Sequence, residues 1–190
     1  MSPFPDFLKR SALSLLENAM NKDIRIALTG FMGVGKSSVA RHLAGILKCR
    51  WVDLDKCIEE DAGRIVAEII DGDGVEVYRA LETKNLQRVL TEIGSPILSL
   101  GGGTWTVAEN REMLKAHGFT SVWLESTFEH CWLNIAFSRK ERPLARDKKK
   151  ARRLFDERQE IYCLADWHFI VRSDYTSYQV AKQIADEIFS

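Results

Sequence analysis

The stretch IRIALTGFMGVGKSSVA, residues 24–40, decides the fold of this chain. It opens with an apolar run, Ile24–Thr29, that fits a buried strand, and a helical pattern begins at Lys36. Between the two, residues 30–37 (GFMGVGKS) match the motif G-x-x-x-x-G-K-[ST]. Glycines in such a loop let backbone N–H groups turn inward on a phosphate chain, where side chains would obstruct them. The stretch therefore predicts a binding site for a nucleoside triphosphate.

The residues of this glycine loop (30–37) have separate predicted roles. The N-terminus of the following helix attracts phosphate, Lys36 reaches the terminal phosphates, and the Ser37 hydroxyl can ligate Mg²⁺. The predicted nucleotide contacts are Gly33, Val34, Gly35, Lys36, Ser37 and Ser38.

The rest of the chain alternates between short apolar runs and helical patterns. Strands of nearly continuous Val, Ile and Leu are typical of a parallel sheet that helices cover on both faces. We therefore predict a doubly wound α/β fold with a five-stranded parallel sheet. The predicted strands are Ile24–Thr29, Trp51–Leu54, Pro96–Leu100, Thr120–Leu124 and His168–Val171. The predicted helices are Lys36–Lys48, Asp55–Asp61, Ile65–Asp71, Glu76–Ile93, Ala108–His117, Thr127–Phe137, Ala151–Leu164 and Ser177–Phe189, the last with a capping box at Thr176 and Gln179.

Length and composition predict one domain. The chain has 190 residues, 45% of them hydrophobic, and its 27 basic residues balance 27 acidic ones, so net charge points to neither nucleic acid nor a membrane. No run approaches 18 apolar residues, and the four cysteines have no disulfide or zinc spacing. We expect a cytoplasmic protein with a helical extension at residues 1–22 and a single domain at residues 23–190.

Two carboxylates end the second predicted strand. Asp53 and Asp55 are two residues apart in WVDLDKCIEE (51–60), so both point to one side of the chain at the ligand-binding edge of the sheet. One carboxylate can hold the water shell of a metal while the other accepts a proton from a hydroxyl nucleophile. The same pair could also be a solvated loop or a helix cap.

Together with four further segments, these motifs resemble the shikimate kinases, which are similar to the nucleoside-monophosphate kinases. The resemblance covers about residues 24–189, and its motifs agree with the family in order and approximate spacing. It implies a P-loop kinase fold and phosphorylation of the shikimate 3-hydroxyl by ATP with Mg²⁺, giving shikimate 3-phosphate and ADP in aromatic amino acid biosynthesis. The further segments are GVEVYRALE (74–82), LSLGGGTW (98–105), RPLAR (142–146) and RQEIYCLAD (158–166).

The resemblance also implies an acceptor site. Arg79 and Arg158 correspond to the arginines that bind the shikimate carboxylate, and a partly buried arginine is what a bidentate clamp requires. Asp55 corresponds to the residue that meets the phosphorylated hydroxyl and takes its proton, and Asp53 to a metal contact through water. Glu82 is placed to orient Arg79, although both arginines could be ordinary helix-surface residues. Backbone contacts to the acceptor are implied for Gly101, Gly102 and Gly103.

A basic segment follows the predicted helix Thr127–Phe137 and runs into the predicted helix Ala151–Leu164. Nine of the fifteen residues from Arg139 to Arg153 are basic. By the resemblance, residues 138–152 form a mobile lid (the lid segment), and Arg142 closes over the γ-phosphate, neutralises developing charge and excludes water. Most of Lys148–Arg153 could instead be a solvated loop and helix start. Nucleic-acid binding is disfavoured because RNA-binding aromatic motifs are absent from the sequence.

The chain departs from the family at a few positions. Val75 stands where the family usually has glutamate, and Tyr78 where it has phenylalanine. The family has an arginine that stacks on adenine, and its position falls near Ile135 in this chain. Arg139 is only a loose substitute for it. Trp105 is bulky for a position near the acceptor, so it either belongs to the core or reshapes the pocket.

Three alternatives remain open at this point. A gluconate- or nucleotide-type kinase would share the glycine loop but should lack the two-arginine clamp. A nucleotide-dependent switch would need an N-K-x-D motif after the loop, and the partial match at Asn21 precedes it. A binding module without turnover would keep the fold alone. We expect a monomer that binds a small-molecule substrate.

Overall fold

The computed structural model describes residues 25–189, and the predicted helix at residues 1–22 lies outside them. The described chain forms one five-stranded sheet in the order β2-β3-β1-β4-β5, and all four neighbouring pairs are parallel. The predicted doubly wound, five-stranded parallel sheet is therefore confirmed. The strands are β1 (Ile26–Thr29), β2 (Trp51–Asp53), β3 (Ile97–Ser99), β4 (Thr120–Glu125) and β5 (Trp167–Ile170).

Helices cover both faces of the sheet. Ile26, Ala27 and Leu28 of the central strand are fully buried, as expected for a parallel strand between two helical layers. Across residues 25–189 the α-helices are α1 (Lys36–Ile46), α2 (Leu54–Ala62), α3 (Val66–Asp73), α4 (Val75–Arg88), α5 (Ala108–Ala116), α6 (Phe128–Ala136), α7 (Lys148–Tyr162) and α8 (Ser177–Phe189). Short 3-10 turns span Thr104–Thr106 and Pro143–Ala145.

Some element boundaries differ from the sequence prediction. The helix predicted over Glu76–Ile93 is α-helical to Arg88 and then closes in a π-helical turn, Val89–Ile93, before Gly94 at φ 62°. α7 begins three residues earlier than predicted because the Asp147 carboxylate accepts a hydrogen bond from the Lys150 N–H at 2.7 Å.

Near the end of the chain, the predicted capping box is confirmed, and the strand predicted over His168–Val171 spans Trp167–Ile170. The capping box forms: Gln179 Oε1 accepts from the Thr176 N–H at 2.8 Å, and Thr176 Oγ1 accepts from the Gln179 N–H at 3.2 Å. β5, by contrast, is an edge strand, so Trp167 and Ile170 remain exposed. No helix of residues 25–189 is long and apolar enough to cross a membrane.

The strand order places the predicted site. The carboxyl ends of β2, β3, β1 and β4 lie side by side, because all of these strands are parallel. The segments that follow β1, β2 and β3 carry the glycine loop, the two aspartates and the triple glycine, respectively. Motifs far apart in the sequence therefore meet at one edge of the sheet.

Candidate active site

The glycine loop joins β1 to α1 in a conformation that requires glycine. Gly30, Gly33 and Gly35 all have positive φ, and Gly33 has φ 85°. A β-carbon at Gly33 would also run into the backbone oxygen of Cys131 and approach the Ile135 side chain within 2.9 Å. Helix α6 thus packs directly against the loop and leaves no space for a side chain there.

Lys36 lies beneath this loop. Its Nζ donates hydrogen bonds to the carbonyl oxygens of Gly30 at 2.8 Å and Phe31 at 3.1 Å. The residue is 9% exposed, and burial, followed by the nearby charge of Arg142, lowers the pKa of Lys36 to about 8. The ammonium group is therefore held at the loop by carbonyl oxygens and lies where a phosphate charge would stabilise it.

Oxygen ligands suited to Mg²⁺ gather beside Lys36. The Ser37 hydroxyl donates to the Asp53 carboxylate and lies 3.3 Å from the Ser99 hydroxyl. The other oxygen of Asp53 caps α2 by accepting from the Asp55 N–H at 3.1 Å. Hydroxyl and carboxylate oxygens fit this ion, which usually takes one or two protein ligands together with substrate phosphates and water. Residues 25–189 contain no group of three or more His, Cys, Asp or Glu side chains that could hold a metal.

The two oxygens of Asp55 have different partners. Oδ1 accepts from the Tyr78 hydroxyl of α4 at 2.8 Å, and Oδ2 accepts from Nζ of Lys140, in the lid segment, at 3.1 Å. Burial alone would raise the pKa of Asp55, but the charge of Lys140 and the hydrogen bond from Tyr78 outweigh it and hold that pKa below its usual value. Asp55 is therefore an ionised carboxylate with both oxygens bound.

Arg79 is fixed by a buried carboxylate. It forms an ion pair with Glu82, whose side chain is fully buried and also accepts from the Thr104 hydroxyl at 2.6 Å. The Arg79 guanidinium lies where a β-carbon on Gly103 would be. The absence of a side chain at this glycine is thus explained by the approach of an arginine.

A second arginine approaches the neighbouring glycine. Arg158 of α7 is 7% exposed, and its Nη1 would lie 3.4 Å from a β-carbon on Gly102. This Nη1 is buried and has no hydrogen-bond partner among residues 25–189. Tyr162, one turn further along α7, donates to the Gly102 carbonyl, and burial raises its pKa to about 12 despite the opposing charge of Arg158. The two arginines therefore converge on adjacent glycines, and one of them retains an unused donor.

Two cavities meet at this edge of the sheet. The loop cavity is lined by Gly33, Gly35, Lys36, Ser37, Ser38, Asp53, Ser99, Leu100, Gly101 and Asn134. The arginine cavity is lined by Val66, Ile70, Tyr78, Arg79, Gly103, Glu141, Pro143, Leu144 and Arg158. Five residues line both cavities and form a shared wall: Met32, Asp55, Gly102, Lys140 and Arg142.

The lid segment contributes Lys140 and Arg142 to the shared wall. Arg142 is half-buried, its Nε has no hydrogen-bond partner in the described part of the chain, and burial lowers its pKa although Asp55 and Asp53 oppose that shift. Four residues further on, Arg146 donates to both oxygens of Asp71 in α3, at 2.9 and 2.6 Å. The lid is thereby joined to α3, which forms part of the arginine cavity.

Most of the residues predicted from the sequence lie in these cavities, with a few differences. The Val34 side chain is buried in the core, and its N–H donates to the Phe31 carbonyl at 3.3 Å. Gly101 lines the loop cavity rather than the arginine cavity. Trp105 belongs to the core, because it is 5% exposed and its Nε1 donates to the Ile161 carbonyl at 3.0 Å. Arg139 is exposed and lines neither cavity.

Sequence reasoning did not assign several of the lining residues, among them Lys140, Tyr78 and Asn134. Lys140 was one of nine basic residues in its segment, and nothing in the sequence distinguished it. Tyr78 was noted as a departure from phenylalanine, but its hydroxyl had no assigned partner. Asn134 belongs to none of the sequence motifs, so nothing in the sequence indicated that it lies at the site. Its Nδ2 donates to the Gly33 carbonyl at 2.9 Å.

A phosphate-binding loop that shares a wall with a second, basic cavity is the arrangement of a P-loop kinase for a small molecule. Residues 32–189 match the family model described as shikimate kinase. The chain belongs to the shikimate kinase family, and it is therefore a transferase that uses ATP.

Individual relatives agree with this assignment. The chain is 36% identical over 170 residues to the shikimate kinase of Persephonella marina, covering 86% of this chain and 98% of the relative. Shikimate kinase from Acinetobacter baumannii, solved in complex with shikimate, has a TM-score of 0.80 at 30% identity over 90% of this chain and 96% of that one. The corresponding enzyme from Aquifex aeolicus has a TM-score of 0.72 at 28% identity, covering 87% and 99% of the two chains.

Proposed function

We propose that this protein transfers the γ-phosphoryl group of ATP to the 3-hydroxyl of shikimate, giving shikimate 3-phosphate and ADP. The observation that carries the proposal is the convergence of Arg79 and Arg158 on the adjacent glycines of the arginine cavity. Two guanidinium groups can bind one carboxylate through charge-assisted hydrogen bonds. Shikimate has such a carboxylate, and it also has a ring hydroxyl that can receive the phosphoryl group.

The charge of the arginine cavity supports an anionic acceptor. Four cationic side chains line it, against two carboxylates: Arg79, Lys140, Arg142 and Arg158, and Asp55 and Glu141. Arg158 retains a buried donor without a partner, and a bound carboxylate would satisfy it. A neutral sugar could offer this donor a hydroxyl oxygen, but it carries no negative charge to pair with the two arginines.

The loop cavity is suited to the phosphates of ATP. The backbone of residues 33–38 and Lys36 bind them, and the N-terminal end of α1 adds its positive potential. Ser37 and Asp53, the latter through water, are the residues that would hold Mg²⁺, which when bound neutralises phosphate charge. Arg142 reaches the shared wall from the lid segment and would stabilise charge that develops on the transferred group.

Transfer is direct and roughly in line between the two cavities. The acceptor hydroxyl attacks the γ-phosphorus, the bond to the β-bridging oxygen of ATP breaks, and ADP leaves with that oxygen. Asp55 takes the hydroxyl proton, since it lines both cavities and carries an ionised carboxylate. No protein group is phosphorylated, so catalysis rests on position and charge. Closure of the lid segment (residues 138–152) would exclude the water that otherwise hydrolyses ATP.

An acceptor panel tests the proposal. ADP release from Mg²⁺-ATP is measured with shikimate, gluconate, AMP or no acceptor, for the wild type and for Asp55→Asn and Arg79→Ala. We expect turnover that depends on shikimate and falls to a small residual rate in both variants. Turnover with gluconate or AMP instead would indicate a related kinase, and no turnover with any acceptor would favour a binding module.

Two further expectations have their own tests. Light scattering checks the expected monomeric state, and cell fractionation checks the expected cytoplasmic location.

A further inference from the structure

Tyr78 brings a hydroxyl group into contact with the proposed base. The residue is 5% exposed on α4, and its hydroxyl donates to Asp55 Oδ1 at 2.8 Å. Burial, followed by the negative charge of Asp55, raises the pKa of Tyr78 far above its ordinary value. The hydroxyl therefore keeps its proton and acts as a donor at every working pH.

The other oxygen of Asp55 binds a second residue of the shared wall. Oδ2 accepts from Lys140, and Lys140 and Asp55 both line the two cavities. The partners differ in rigidity: Tyr78 is buried on a helix, whereas the Lys140 side chain is 44% exposed in the lid segment. An arriving acceptor hydroxyl can replace Lys140 at Oδ2 without disturbing the bond at Oδ1.

Orientation of a carboxylate needs such a fixed partner. Rotation about the last side-chain torsion of aspartate is broad, so a carboxylate held by one flexible contact can present either oxygen in many directions. A buried donor on one oxygen removes much of this freedom and fixes where the other oxygen points. The Arg79 guanidinium lies 5.2 Å from the centre of the Tyr78 ring, so the same side chain also contacts an arginine of the proposed clamp.

We propose that Tyr78 is a positioning residue for phosphoryl transfer: its hydroxyl holds Asp55 Oδ1 so that Oδ2 faces the acceptor hydroxyl. This inference rests on the proposed function and adds a residue to it. Tyr78 itself does not exchange a proton with the acceptor. The proton passes from the acceptor hydroxyl to Oδ2, and the Tyr78 hydroxyl remains bound to Oδ1 throughout.

Tyr78→Phe tests this role, because it removes the hydroxyl and keeps the ring against Arg79. A lost hydrogen bond to a charged group corresponds to about a 10-fold or larger fall in kcat. The KM for shikimate should change less than about threefold, because the acceptor contacts remain. Tyr178→Phe is the matched control: Tyr178 is exposed on α8, outside both cavities, and kcat should stay unchanged. The melting temperature of each variant verifies that it is folded.

A double-mutant cycle makes the test specific. In the Asp55→Asn background, Tyr78→Phe should lower the residual kcat by less than about twofold, because the carboxylate that it orients is gone. An equal loss in both backgrounds, a change confined to KM, or an unchanged kcat in Tyr78→Phe would each overturn the inference. If the wild type uses another acceptor, the proposed function fails and the same cycle is run with that acceptor. A wild type without any acceptor-dependent ADP release would refute both proposals.

Discussion

Nζ of Lys140 lies 3.1 Å from Oδ2 of Asp55, and this ion pair joins the lid segment to the proposed base. Because Lys140 and Arg142 both line the two cavities, the lid brings two positive charges to the shared wall. One of them, Lys140, was not distinguished from its basic neighbours in the sequence.

Lys140→Met should lower kcat by about 10-fold or more, because a cation beside the transferred phosphoryl group is lost. Lys140→Arg should restore part of the rate. The measurement is ADP release at saturating ATP and shikimate. Lys149→Met removes the same charge from an exposed position at the start of α7, away from both cavities, and should leave kcat unchanged. An increase in kcat for Lys140→Met would mean instead that the ion pair restrains the enzyme.

Glu82→Gln should destabilise the protein and weaken acceptor binding. It leaves the Arg79 charge without its buried partner, and because Arg79 is partly accessible we expect a loss of about 2 kcal/mol in the free energy of unfolding. For a chain of this length that corresponds to a fall of about 6 °C in melting temperature. The KM for shikimate should rise as Arg79 loses its orientation. Glu76→Gln, on the exposed first turn of α4, serves as the control and should change neither quantity.

Gly103→Ala should raise the KM for shikimate by about 10-fold. The new methyl group would occupy the space of the Arg79 guanidinium, and this flexible group can move away while the backbone, at φ −113°, accepts alanine. Initial rates at varied shikimate concentration measure the effect. Gly45→Ala in α1, where no atom lies within 4 Å of the added carbon, should keep the KM and raise stability by about 0.5 kcal/mol. A similar KM for the two alanine variants would refute the predicted displacement of Arg79.

Thiol titration of the native protein at pH 8 should give one fast thiol. Cys163 is exposed, whereas Cys131 is 1% exposed and burial raises its pKa to about 11, although Lys36 and Arg142 oppose that shift. Burial also raises the pKa of the Cys49 and Cys57 thiols. Thiolate is the reactive form, so these three groups should react slowly until the protein unfolds. The fast phase should disappear in Cys163→Ser, and a fast phase that remains would contradict this assignment.

The sheet and the glycine loop were predictable because their signals are local. An apolar run followed by spaced glycines and a lysine specifies strand, loop and helix within seventeen residues. Asp53 and Asp55 could be expected at the sheet edge because they follow the second strand, whose direction in a parallel sheet sets where it ends. The structure differs in one respect, since Asp53 ends β2 and Asp55 already lies in the first turn of α2. The pairing of Arg79 with Glu82 followed from helix periodicity.

The remaining features depend on contacts between distant segments. Lys140 meets Asp55 across 85 positions of the chain, and no local pattern encodes that meeting. The Tyr78 hydroxyl finds its partner 23 positions away for the same reason. The triple glycine was predicted as a ligand contact, but the structure adds a reason internal to the protein, since two arginine side chains pack against Gly102 and Gly103.

The central claim is that Arg79 and Arg158 bind the carboxylate of shikimate. A comparison of shikimate with its methyl ester tests this claim most directly, because the ester keeps the ring hydroxyls and lacks the negative charge. With Mg²⁺-ATP saturating, we predict that kcat/KM for the ester is at least about 100-fold lower, and that this ratio shrinks in the Arg79→Ala and Arg158→Ala variants. Equal kcat/KM for the acid and the ester in the wild type would contradict a carboxylate clamp formed by Arg79 and Arg158.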